Sequence, residues 1–162
     1  MSYRKLAFRV VMGVFLVLIV ASYAVPLWFQ LHGDRLLVVT SGSMEPEIGV
    51  GSAVVVRPVT SPSQLQVGQV VTFWPSDDTQ MVTHRIVAVK SIVRRTQDAA
   101  HTVVYDAAGN PVTDPYIQTK GDSVDVPDAT LTPFGQVRGI VRDVHPGWGY
   151  LLAFAPSGPG RF

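Results

Sequence analysis

At 162 residues the chain is long enough for one domain whose core needs no cross-links. It has no cysteine, which excludes disulfides, thiol nucleophiles and thiolate metal sites. Its formal net charge of +1 argues against a nucleic-acid-binding role, which calls for a clustered basic face.

Residues 10–29 carry no formal charge and are mostly Val, Leu, Ile, Phe and Ala. As a helix rising about 1.5 Å per residue they cover ~30 Å, the hydrocarbon thickness of a bilayer. Arg4, Lys5 and Arg9 precede the run, whereas Asp34 and Arg35 follow it with no positive excess. The positive-inside rule then keeps the N-terminus in the cytoplasm and places everything after about Gln30 outside. A cleaved signal peptide is the competing reading, because Ser22-Tyr23-Ala24 offers small residues two apart. Against it, the apolar run exceeds the ~7–15 residues of a signal-peptide core, and Pro26 lies close behind the would-be cut. The expectation is a cytoplasmic tail at 1–9, a retained transmembrane anchor at 10–29 and an extracytoplasmic domain at 30–162.

The remainder reads as strands. Residues 36–40 are apolar and β-prone, and they lead into Ser41-Gly42-Ser43-Met44-Glu45-Pro46, expected as a tight, exposed corner. Further strands are expected at 53–59, 70–74, 81–91 with an extension through Val93, 102–105, 116–119 and 135–144. Turns fall at 75–78 and 106–111, where Pro, Gly, Asp and Asn cluster. Helical periodicities are few. The fold class is therefore mainly β: a curled antiparallel sheet, barrel-like, preceded by one N-terminal transmembrane helix. The apolar residues 150–155 are stopped by Pro156 and Pro159, short of the ~20 needed to span, so a single span is expected.

A serine in the 41–46 corner is either an ordinary turn former or a nucleophile, and a nucleophile needs a base. His84, in Val82-Thr83-His84-Arg85-Ile86, shares a strand face with Val82 and Ile86. A histidine there is commonly a half-buried residue with a local hydrogen bond. The same half-burial also favours a neutral imidazole able to accept a proton. The other histidines are poorer candidates: His32 is beside the membrane, His101 is in a polar hairpin and His145 precedes Pro146-Gly147. Lys90 is placed late in a strand and Lys120 in a turn. A carboxylate that orients the imidazole is offered by Lys120-Gly121-Asp122-Ser123-Val124-Asp125-Val126-Pro127-Asp128, where three acids follow a strand. Such clusters are usually solvated turns, and the ligand spacing of a calcium loop is missing.

Taken in order, Ser41-Gly42-Ser43-Met44-Glu45-Pro46, Val82-Thr83-His84-Arg85-Ile86 and Thr119-Lys120-Gly121-Asp122 with Asp128 resemble the motifs of type I signal peptidases. Histidine in the second motif is similar to the endoplasmic-reticulum and archaeal branch rather than the serine–lysine branch. The resemblance implies Ser43 as nucleophile, His84 as general base, Asp128 as the orienting acid and Asp122 as a supporting acid. It also implies an oxyanion site made by the Ser41 hydroxyl and the Ser43 N–H. Where the family often has asparagine after the motif aspartate, this chain has Ser123-Val124-Asp125, which leaves Asp125 as a rival third residue. The implied function is a membrane-anchored serine endopeptidase that removes signal peptides, with a non-catalytic, membrane-tethered β-domain as the alternative. No cofactor or metal is called for. Expected partners are signal-peptide-bearing preproteins, the lipid bilayer and the export machinery, at the plasma membrane or its lumenal equivalent. Members of this branch often continue into a second transmembrane helix near the point where this chain ends at Phe162.

Overall fold

The structure is a computed structural model and describes residues 3–76, 80–97 and 100–152. Helix α1 runs from Tyr3 to Leu31 and buries no residue against the rest of the chain. Its most apolar stretch has a mean hydropathy of 2.5, and among the described residues it is the helix long and apolar enough to cross a membrane. It begins ahead of the uncharged run because Leu, Lys and Arg are good helix formers whose charges remain in solvent.

The helix stops in a Schellman motif. Gly33 adopts φ +78°, its N–H donates to Gln30 O at 3.0 Å, and Asp34 N–H reaches back to Phe29 O at 2.9 Å. Asp34 then accepts Arg57 Nε at 2.8 Å and Nη2 at 2.9 Å, which fastens the helix exit to the second strand. That guanidinium holds the Asp34 carboxyl below the usual carboxylate range.

Among the described residues seven strands form one antiparallel sheet: β1 (Arg35–Val38), β2 (Ala53–Arg57), β3 (Val70–Phe73), β4 (Val82–Val93), β5 (Thr113–Lys120), β6 (Thr132–Pro133) and β7 (Val137–His145). Their order is β1-β2-β7-β3-β4-β5-β6. The curled, mainly β architecture expected from the sequence is thus the one observed. β7, last in the chain, inserts between β2 and β3, because its Val137, Ile140, Val141 and Val144 supply apolar contacts to both halves of the core. Register shifts at Val55/Val56, Thr72/Phe73 and Ile86/Ala88 curl the sheet, as an extra residue in one strand of a pair does.

The core is split in two. One cluster joins Leu65, Val71, Phe73, Ile86, Ile117 and Val137, and the other joins Met44, Ile48, Val54, Val56 and Val70. Consecutive residues of β4 therefore look toward different surroundings. His84 is in register with Val71 and shares its face, whereas Arg85 is in register with Val70.

Several expected boundaries move. Residues 102–105 form no strand; Val103 and Tyr105 make isolated bridges to Arg95 and Pro111. That hairpin is polar and exposes Tyr105, so it has too little buried surface to extend a ladder. Lys120 closes β5 rather than sitting in a turn. The segment 135–144 opens as a 3-10 turn at Phe134–Gln136 before β7. The expected turn at 75–78 includes Asp77 and Asp78, which lie outside the described residues, as do 153–155 of the apolar C-terminal stretch. The described part of that stretch belongs to a short helix, α2 (Trp148–Leu152).

Candidate active site

The 41–46 corner is not the freely exposed turn expected. Met44 and Ile48 are each 1% exposed and complete the second core cluster. Burying two such side chains is worth roughly 1.5–3 kcal/mol each, enough to draw the corner onto the sheet. Backbone bonds from Glu45 N–H to Gly42 O at 3.1 Å and from Ile48 N–H to Met44 O at 2.9 Å shape the turn between them. Ser43 precedes the anchoring Met44 and is half-buried, while Ser41 is exposed.

His84 is held from β4 with its side chain 14% exposed, and the ring of Phe73 meets it edge-on at 6.3 Å. Its Nδ1 is 2.8 Å from Asp128 Oδ2. The same carboxylate oxygen accepts the Thr119 hydroxyl at 2.6 Å, and Asp128 N–H donates to Thr119 O at 2.8 Å. A carboxylate oxygen facing Nδ1 favours the tautomer with the proton on Nδ1, and in a neutral imidazole that leaves the lone pair on Nε2. Asp125 is exposed and makes no hydrogen bond among the described residues. Of the three clustered acids, Asp128 is the one on the imidazole.

Gly121 shows where Nε2 points. A β-carbon built on Gly121 would lie 3.2 Å from His84 Nε2 and 2.6 Å from Ser43 O. The imidazole and the Ser43 backbone therefore converge on one glycine, and a side chain there would push them apart. Ser43 Oγ is 3.5 Å from Ser41 Oγ, and no hydrogen bond joins it to the His84 ring.

Asp122 takes a different place. It accepts Arg85 Nε at 2.9 Å and Nη2 at 2.6 Å, and the guanidinium holds its carboxyl below the usual range. Arg85 also donates to Glu47 in the serine corner and, at 2.8 Å through Nη1, to Gly68 O. Arg85 thus ties both the Asp122 segment and Glu47 to β4, and Asp122 makes no hydrogen bond to His84. Three of the other candidate bases lie elsewhere. His32 Nδ1 is 2.7 Å from Trp28 O, His145 stacks on Trp148 at 4.4 Å, and Lys90 is exposed opposite Tyr116.

Four residues around this site went unassigned in the sequence: Thr119, Ser123, Arg85 and Glu47. Thr119 had a legible signal. It follows Ile117 by two on β5, so it shares a buried face, and a buried hydroxyl needs a partner. The other three act through contacts between segments far apart in the chain, which no local pattern reports.

Over 59 residues the chain is 46% identical to signal peptidase I W of Bacillus subtilis (strain 168), a stretch covering 36% of this chain and 30% of that protein. Over that stretch the chain resembles a type I signal peptidase. It spans less than a third of the length of the curated relative it matches. No family model matches the chain.

Proposed function

We propose that the protein is a membrane-anchored serine endopeptidase that cleaves signal peptides from exported preproteins, using a Ser-His-Asp set of the endoplasmic-reticulum and archaeal type. The observation that carries this reading is the placement of Ser43 and His84 Nε2 about Gly121, with Nδ1 held by Asp128. The partial likeness to a bacterial signal peptidase supports it. A merely structural histidine has no need of an ionised carboxylate at one nitrogen and a serine-bearing turn near the other.

In the proposed reaction Ser43 Oγ attacks the scissile carbonyl while His84 Nε2 takes its proton. The Asp128 carboxylate stabilises the imidazolium that forms and keeps the ring from turning, and Thr119 keeps the carboxylate from turning. Negative charge develops on the carbonyl oxygen, where the Ser43 N–H and the Ser41 hydroxyl donate. The imidazolium then protonates the leaving amine. Water, deprotonated by the same Nε2, releases the acyl group from Ser43.

In this reading residues 1–9 are cytoplasmic, 10–29 lie in the bilayer and 30–162 lie outside. The anchor confines enzyme and signal-peptide helix to the same two-dimensional layer and raises their effective concentration. The test is cleavage of a model preprotein in membranes by wild type and by Ser43→Ala, His84→Ala and Asp128→Ala. Uncut preprotein with wild type, or full activity in Ser43→Ala, sends the reading back to a tethered β-domain without catalysis. Protease protection in inverted vesicles tests the topology, and digestion of residues 40–162 from the cytoplasmic side would refute it.

A further inference from the structure

We infer that Ser123 is a positioning residue for the nucleophile, clamping the Ser43 carbonyl so that the serine corner is held in register with the histidine strand. The inference rests on the proposed role of Ser43. Ser123 uses both of its donors on one atom: its N–H is 3.1 Å and its hydroxyl 3.0 Å from Ser43 O. A backbone carbonyl has two lone pairs, so this oxygen is fully occupied by a single residue. A turn that merely needed satisfying would be served by the backbone N–H alone, with water on the second lone pair, since the contact is exposed.

The clamp matters because of what carries it. Ser123 follows Gly121 by two, and Gly121 is the residue against which Ser43 O and His84 Nε2 both rest. β5 continues directly into this segment, and β5 also carries Thr119, which holds Asp128 on His84. One short stretch, 119–123, therefore touches each part of the proposed set. It restrains the acid through Thr119, abuts the base through Gly121 and grips the nucleophile's backbone through Ser123. The corner has a second tether on its other side, from Glu47 to Arg85, so it is held at both ends. Releasing the Ser43 end lets the hydroxyl swing relative to Nε2 while Met44 keeps the turn in the core. A displacement of about 1 Å between reacting groups is enough to slow a reaction by as much as ~100-fold.

Full-length protein in detergent or membranes provides the test, with Ser123→Ala, Ser123→Asp and Ser123→Thr beside wild type. Ser123→Ala keeps the N–H and loses the hydroxyl, and kcat for preprotein cleavage is expected to fall about 5- to 20-fold with KM unchanged. Ser123→Asp sets an acceptor against the carbonyl and is expected to lose at least as much. Ser123→Thr keeps a hydroxyl donor and is expected to restore most of the rate. The second measurement is amide hydrogen exchange over residues 42–48, which does not depend on any chemistry and is expected to quicken in Ser123→Ala. A kcat for Ser123→Ala within about twofold of wild type overturns the inference, as does a loss that threonine fails to rescue. Were wild type to cleave no preprotein, the exchange measurement decides alone. Faster exchange upholds the clamp while the proposed function falls, and unchanged exchange overturns the clamp as well.

Discussion

The two ends of β4 carry nearly the same chemistry in opposite settings. Each end has an arginine in a two-pronged pair with an aspartate: Arg85 with Asp122 at the near end, and Arg94, just past the strand, with Asp114 at the far end. The Asp122 side chain is 17% exposed and the Asp114 side chain 33%. Around Arg85 gather Glu47, the Gly68 carbonyl and the serine corner, whereas leading up to Arg94 the side chains of Val89, Ile92 and Val93 are partly open to solvent, at 45%, 40% and 38% exposure. A salt bridge at a solvated hairpin end is screened and replaceable by water. The same pair under a folded-over loop becomes a joint between segments, because removing one partner leaves the other half-buried and unpaired. Local chemistry is alike; the loop packed over the near end makes the difference.

The largest contrast should come from the residues gathered at Gly121. Ser43→Ala and His84→Ala are each expected to lower preprotein cleavage by roughly 10⁴-fold or more, and the double variant by no more than the worse single one. Asp128→Ala is expected to fall by roughly 10²- to 10⁴-fold, while Asp125→Ala stays within about twofold. A lethal Asp125→Ala with a tolerated Asp128→Ala would remove His84–Asp128 from the mechanism.

Next comes Gly121→Ala, whose β-carbon would press on Ser43 O. It is expected to cut the rate by about 100-fold or more while circular dichroism still reports the β fold.

The paired arginines come third. Arg85→Ala is expected to destabilise the domain by roughly 1–3 kcal/mol and to lower activity with it. Arg94→Ala is expected to leave the thermal midpoint and the activity where they are. Equal effects at the two ends would break the comparison.

The smallest effect is one of pH. Because the Asp122 pKa is depressed in the fold, its stabilisation is complete above the ordinary carboxylate value of about 3.9 and is lost as pH falls through the folded value. Acid unfolding of wild type should therefore steepen below about pH 4, and in Asp122→Asn that part of the slope should vanish.

Much of this was legible before folding. The long apolar helix is a property of consecutive residues, since twenty-odd uncharged side chains give a segment long and apolar enough to cross a bilayer whatever follows them. Strands β1 to β5 and β7 show in short β-prone runs punctuated by Gly and Pro, and along β4 the alternation reports a face directly. His84 was placed on a buried face by the same alternation. The Ser-Gly-Ser corner was visible as a corner, yet its burial was not, because Met44 and Ile48 have no local reason to turn inward until β2 and β3 offer a surface. Spacing alone likewise left the choice among Asp122, Asp125 and Asp128 open, and Asp128 came only from the family resemblance. All three are carboxylates in one turn, and only the pairing of β4 with β5 decides which oxygen meets Nδ1 and which meets Arg85. Ser123 and Glu47 belong to this second class, as contacts between segments that lie far apart in the chain. The amino-acid order determined which groups were available and which faces they took. The tertiary fold decided the distances between them, since hydrogen bonds of about 3 Å between remote segments depend on the packing of everything in between.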